Sequence, residues 1–171
     1  MKTQLINNIF ANISSKDSPG CSIGVTQDNL LIFEKGYGLA NLEHHIPLTS
    51  QSIFRIASVS KQFTALAILL LADDGKIELD KDIRTYLPEL NDYGVKVTVN
   101  SMLGHFSGMG DFDSLNMLTK SSLKSVSGGK LRLGNQDYLS NDEFYDIVKN
   151  LPLKNIPDQK LEYSNFAYFL L

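Results

Sequence analysis

A single cysteine, Cys21, stands in the 171 residues, so no internal disulfide can form. Its expected place is that of a small buried apolar residue. Histidines number three, His44, His45 and His105. No Cys/His cluster has the spacing of a zinc site, so no metal is expected. Positive charge is in deficit: 16 Lys and Arg against 19 Asp and Glu give a net charge of −3. Without a basic surplus to neutralise phosphates, nucleic acid is not expected as a partner. Long apolar runs are missing too. The longest, residues 65–72, is far short of the roughly 20 residues that a membrane-spanning helix needs. The first ten residues carry one lysine and paired asparagines with no apolar stretch behind them. No secretory signal is read there, and a cytoplasmic location is expected. What is present is an ordinary soluble composition, 43% hydrophobic and 20% charged, in a chain long enough for one domain with a core.

Apolar residues at Leu5, Ile6, Ile9, Phe10 and Ile13 predict a short amphipathic helix over 3–14. Asp17-Ser18-Pro19-Gly20 breaks it. Two strand-like runs follow, 21–26 and 30–37, joined by Gln27-Asp28-Asn29, which predicts a hairpin. An isolated hairpin is marginal in water, so something is expected to pair with it or cover it. Residues 58–73 give the strongest helix pattern, apolar nearly all round, which predicts burial in a core. Gly75 suits its C-terminal cap. Short helices are expected at 81–87, stopped by Pro88, and at 100–106. The stretch 120–139, rich in Ser, Gly and Lys, reads as a long loop that could rim a site. Ser140-Asn141-Asp142-Glu143 has the form of a capping box and predicts a helix over 141–150. Pro157 marks a turn, and 166–171 is an apolar run without an evident cap.

Chemistry is offered by Ser58-Val59-Ser60-Lys61, an S-x-x-K tetrad at the start of the apolar helix. Residues i and i+3 share a helical face, so the Lys61 amine can reach the Ser58 hydroxyl. Unpaired N–H groups at the helix start favour a developing oxyanion. Burial of Lys61 would disfavour its charged form and make it a base, which a serine nucleophile needs. Alone the tetrad is a weak signal, since a serine there can be no more than a helix cap. About a hundred residues downstream stands Tyr163-Ser164-Asn165. A tyrosine hydroxyl near Ser58 and Lys61 could relay a proton, and an asparagine amide can both donate to a carbonyl and accept from an amine. The plainer reading of Tyr163 is a packed core aromatic.

Taken together these segments resemble the serine β-lactamase and penicillin-binding-protein family. S-x-x-K is one of its motifs, and Tyr163-Ser164-Asn165 is similar to the Y-x-N element of the class C β-lactamases and their related esterases and D-aminopeptidases. Residues 54–65 around Ser58 resemble the family's nucleophile segment, and Gly36-Tyr37-Gly38 is family-like. So is Leu103-Gly104-His105-Phe106-Ser107-Gly108, where Phe106 replaces a common threonine. The resemblance runs from about residue 19 to the end.

The resemblance implies an α+β fold of the β-lactamase/transpeptidase type, a helical domain plus the first strands of an antiparallel sheet, with the C-terminal strands missing. Residues 1–171 would form a single truncated domain, with the hairpin and lead-in at 19–57 and the mainly helical part at 58–171. Ser58 would be acylated, Lys61 would be its base partner, Tyr163 would relay protons and Asn165 would position the substrate. The Ser58 N–H would be half of an oxyanion hole. His105 would be structural. No cofactor is implied, and the partner would be a small-molecule or peptide acyl donor, a β-lactam, a D-amino acid peptide or an ester. The family's third motif, K-T-G or H-x-G, is not found, so these residues alone are expected to be a poor catalyst. The alternative is a catalytically silent penicillin-binding-like sensor or binding module. A structural protein with accidental motifs has little to recommend it, because three motif segments fall in family order. Oligomeric state is not fixed by the sequence.

Overall fold

The computed structural model describes residues 2–13, 17–111 and 140–171. The expected loop at 120–139 lies outside the described residues. The chain divides into two compact units, Met1–Ile56 and Ala57–Leu171.

In the first unit, helix α1 (Lys2–Ile9) is followed by a 3-10 turn, Ala11–Ile13. Phe10 stacks on Tyr37 at 5.1 Å between ring centroids, and Asn7 accepts hydrogen bonds from the Tyr37 hydroxyl and the Lys35 amine, each at 2.8 Å. Strands β1 (Cys21–Gln27) and β2 (Leu30–Tyr37) form the expected antiparallel hairpin, with Cys21 opposite Tyr37. Asp28 and Asn29 both have positive φ, 51° and 62°. That is the type I′ turn, whose twist matches the strands it joins. A second small ladder, β3 (Leu39–Asn41) with β4 (Ile46–Pro47), was not legible in the sequence. Gly38 leads into β3 at φ +68°, and a Cβ there would stand 2.8 Å from the Cα of Gly20. Among the described residues each sheet has two strands. Leu30, Leu31 and Ile32 of β2 stay exposed. Cys21 is half-buried rather than buried, as befits a strand end in so thin a sheet.

The second unit is helical. A 3-10 turn, Ala57–Ser60, leads into α2 (Lys61–Asp73). Gly75, at φ +68°, ends α2 as expected: its N–H reaches Ala72 O and the Lys76 N–H reaches Leu71 O, both carbonyls left over by the helix. The helix expected at 81–87 shrinks to a 3-10 turn, Ile83–Thr85. Asp82 caps it by accepting from Arg84 N, and Ile83 N bonds Val97 O, which ties the turn down before an α-helix can propagate. Helix α3 (Val99–Leu103) starts with a reciprocal Thr98–Ser101 capping box. Helix α4 (Asn141–Val148) starts with the expected Ser140–Glu143 box. Helix α5 (Asn165–Leu170) closes the described chain. The core gathers Ile68 from α2, Met102 from α3 and Ala167 from α5 with Ile83, Val97 and Val99. A second cluster joins Val148 and Leu151 to Phe166.

Burial of α2 departs from expectation. Ile68 is its one buried residue, while Leu66 is 55% and Leu70 58% exposed. A helix apolar all round needs cover on every side, and the described residues of this unit cover only the Ile68 side. Among the described residues no helix is long and apolar enough to cross a membrane.

Candidate active site

Ser58 sits in the 3-10 turn just ahead of α2, and Lys61 is the first residue of the α-helix proper. The tetrad therefore straddles a junction rather than lying within one helix. Ala57, immediately before the serine, has φ +47°. That left-handed backbone costs a non-glycine residue about 1–2 kcal/mol, the kind of strain that collects at functional sites.

The second half of the site comes from the approach to α5. Ser164, the unremarked middle residue of Tyr163-Ser164-Asn165, is fully buried. Its hydroxyl caps α5 by accepting from Ala167 N at 3.0 Å and donates to Gly110 O at 2.8 Å. With Ser164 fixed, Tyr163 and Asn165 both turn toward α2. The Ser58 and Tyr163 hydroxyls lie 2.6 Å apart. Lys61 Nζ donates to Ser58 Oγ at 3.3 Å and to Asn165 Oδ1 at 2.7 Å. It also lies 4.8 Å and 5.4 Å from the ring centroids of Tyr163 and Tyr168. The structure thus brings all four sequence-predicted residues into one hydrogen-bonded cluster across more than a hundred residues of chain. The Lys61 side chain, then the Ser58 hydroxyl, favours the phenolate of Tyr163 and draws its pKa below the ordinary 10.0. Lys61 is half-buried rather than sealed off, Ser58 is exposed and Tyr163 is 43% exposed, so the cluster is open to solvent.

His105 belongs to the frame. Its Nδ1 accepts from the Ser164 N–H at 3.2 Å, and its ring lies against Tyr163 at 4.5 Å and Tyr168 at 5.0 Å. Its carbonyl accepts from Glu162 N at 2.8 Å. Glu162 is in turn clamped by Lys154, Lys160 and Asn155, which hold its carboxyl down to about 2. Burial, then the Lys61 charge, lowers the His105 pKa, against a smaller opposing effect of Asp111. A histidine whose folded pKa lies below its unfolded value is destabilised when it protonates. Stability is therefore expected to be full above the ordinary value of 6.5 and to fall as pH drops from there through the depressed folded pKa. Urea midpoints across that range are expected to vary less in His105→Phe than in the wild type. An unchanged pH slope would remove His105 from this role.

Two contributors escaped the sequence reading. Ser164 had a signal, its place inside the Tyr-x-Asn motif. Asp111 stands three residues beyond Gly108, and both of its carboxylate oxygens accept from Asn165 Nδ2, at 3.1 and 3.0 Å. Nothing in its immediate sequence marks it. Among the described residues no group of side chains could hold a metal ion.

Fold and motifs together define the class of β-lactamase-like serine hydrolases. The chain belongs to the Beta-lactamase family, whose model matches residues 5–171. It is 34% identical to the mitochondrial serine beta-lactamase-like protein LACTB of Bos taurus over 101 residues, 56% of this chain and 18% of that protein. It is 32% identical to a D-aminopeptidase of Gluconobacter oxydans over 112 residues, 66% of this chain and 21% of that one. The crystal structure of D-amino acid amidase from Ochrobactrum anthropi SV3 superimposes on 98% of this chain and 42% of its own, with a TM-score of 0.72 and 25% identity. The chain thus spans about a fifth of the length of these two curated relatives and about two fifths of the solved one.

Proposed function

We propose that the chain carries the nucleophilic side of an acyl-transfer site acting on amides or esters. The supporting observation is the hydrogen-bonded set of Ser58, Lys61, Tyr163 and Asn165. Ser58 Oγ attacks the carbonyl carbon and its proton passes to the Lys61 amine. The C–O bond to Ser58 forms, and the bond to the leaving amine or alkoxide breaks. Tyr163 relays the proton from Lys61 to that leaving group, and water later attacks the acyl carbonyl, leaving its OH on the acid product and returning its other hydrogen to Ser58 Oγ. The Ser58 N–H donates to the carbonyl oxygen as negative charge develops on it. Similarity to a D-aminopeptidase and a D-amino acid amidase supports trying D-amino acid amides first among the candidate substrates, ahead of β-lactams and simple esters.

The test uses the complete product of the gene, incubated with D-alanine p-nitroanilide, benzylpenicillin and p-nitrophenyl acetate, and read by intact mass. An acyl adduct that maps to Ser58 and vanishes in Ser58→Ala supports the reading. Reversible binding of any probe that survives Ser58→Ala, with no adduct from any, would replace it with a silent binding module.

A further inference from the structure

We infer that Asp111 is a positioning residue for this site: it sets which way the Asn165 amide faces, and through it where the Lys61 amine stands relative to Ser58. The inference rests on the acyl-transfer reading of Ser58 and Lys61. An asparagine side chain is nearly symmetric in shape, and rotation by half a turn exchanges its oxygen for its NH₂. Only one of the two orientations suits Lys61. With Oδ1 toward it, Lys61 Nζ donates at 2.7 Å. With Nδ2 toward it, two donors would meet and the lysine would lose that anchor. An ionised carboxylate accepts and cannot donate. Asp111, with both oxygens within 3.1 Å of Nδ2, therefore selects the orientation that Lys61 needs.

The segment bearing Asp111 is itself held. The carbonyl of its neighbour Gly110 accepts from the buried Ser164 hydroxyl at 2.8 Å. Backbone and side chain thus make two independent links between the 105–111 segment and the Tyr163-Ser164-Asn165 motif. Lys61 Nζ is 3.3 Å from Ser58 Oγ in this arrangement, long for a hydrogen bond between these atoms. A small loss of anchoring at Asn165 would lengthen it further. The same contacts leave Asn165 with one Oδ1 partner and Nδ2 engaged by both carboxylate oxygens, so its main task is to hold Lys61.

Two measurements test this on the complete gene product. The first is a double-mutant cycle of Asp111→Ala and Asn165→Ala, read as the rate of Ser58 acylation by p-nitrophenyl acetate. Asp111→Ala is expected to lower that rate about 10- to 100-fold in the wild-type background and less than about threefold when Asn165 is already alanine, because coupled residues are not additive. Urea midpoints of the four proteins separate this from loss of fold. The second is the Asn165 side-chain NH₂ signal in an ¹⁵N spectrum, expected downfield in the wild type and moved toward free-amide values in Asp111→Ala. Equal factors in both backgrounds, or an NH₂ signal indifferent to Asp111→Ala, would overturn the inference while leaving Ser58 chemistry intact. An NH₂ signal that responds as expected, in a protein never acylated at Ser58, would instead defeat the acyl-transfer reading and leave Asp111 as the residue that orients Asn165.

Discussion

Ser58→Ala and Lys61→Met are each expected to reduce acyl transfer by at least about a thousandfold, and the double variant no further than the worse single one. The reason lies in the cluster. Among the described residues no histidine or carboxylate hydrogen-bonds Ser58 to take its proton; its partners are Lys61 at 3.3 Å and Tyr163 at 2.6 Å. Removing Lys61 leaves a hydroxyl that is almost wholly un-ionised near neutrality. It also frees Asn165, whose Oδ1 it holds. Methionine keeps much of the side chain's length, so the loss reads chemistry more than packing. Initial rates with p-nitrophenyl acetate and with D-alanine p-nitroanilide measure it. Tyr163→Phe sharpens the assignment. A good leaving group departs without a proton, whereas an amine does not. Tyr163→Phe is therefore expected to slow the anilide much more than the ester. Equal losses on both substrates would deny Tyr163 the part of leaving-group acid.

Gly108→Ala is expected to cost about 3 kcal/mol of stability. Gly108 has φ +72°, in the left-handed region, and an added Cβ would overlap the carbonyl oxygen of Asn155. That carbonyl cannot simply withdraw, because Lys154 N and Asn155 N both donate back to Gly108 O, at 2.8 and 3.2 Å. The clash would open the junction between the segment that carries His105 and Asp111 and the segment that leads into Tyr163. Gly94→Ala is the control. It has φ +67° and nothing within 4 Å of its would-be Cβ, so it carries backbone strain alone, about 1 kcal/mol. Urea denaturation of both variants measures the difference. Equal midpoints would mean that the Asn155 contact is absorbed by relaxation.

Local signals were read well where one residue type has one cheap conformation. Asp28-Asn29 specified the I′ turn, Ser140 and Glu143 the start of α4, and Gly75 the end of α2. Apolar spacing over 81–87 points to a helix, and it is all that the sequence offers there. Hydrogen bonds accepted by Asp82 Oδ1 and Val97 O make a 3-10 turn the better choice. The apolar circumference of α2 was read as burial, yet periodicity records only what a helix wants covered, not what covers it. Leu66 and Leu70 remain exposed among the described residues.

The candidate site shows the same division. Ser58, Lys61, Tyr163 and Asn165 were legible because their types and order carry chemistry that few other patterns do. Asp111 and Ser164 were not, because a carboxylate that orients an amide and a hydroxyl that caps a helix act through distances across the fold, and a lone Asp or Ser has no signature. By itself the sequence determined the family, a candidate nucleophile and the kind of reaction to look for. Only the tertiary structure decided that Asn165 Oδ1 faces Lys61, that His105 accepts from Ser164 rather than serving Ser58, and that α2 shows an apolar face. Those outcomes depend on which groups meet in space, and meetings across a hundred residues are set by packing rather than by local propensity.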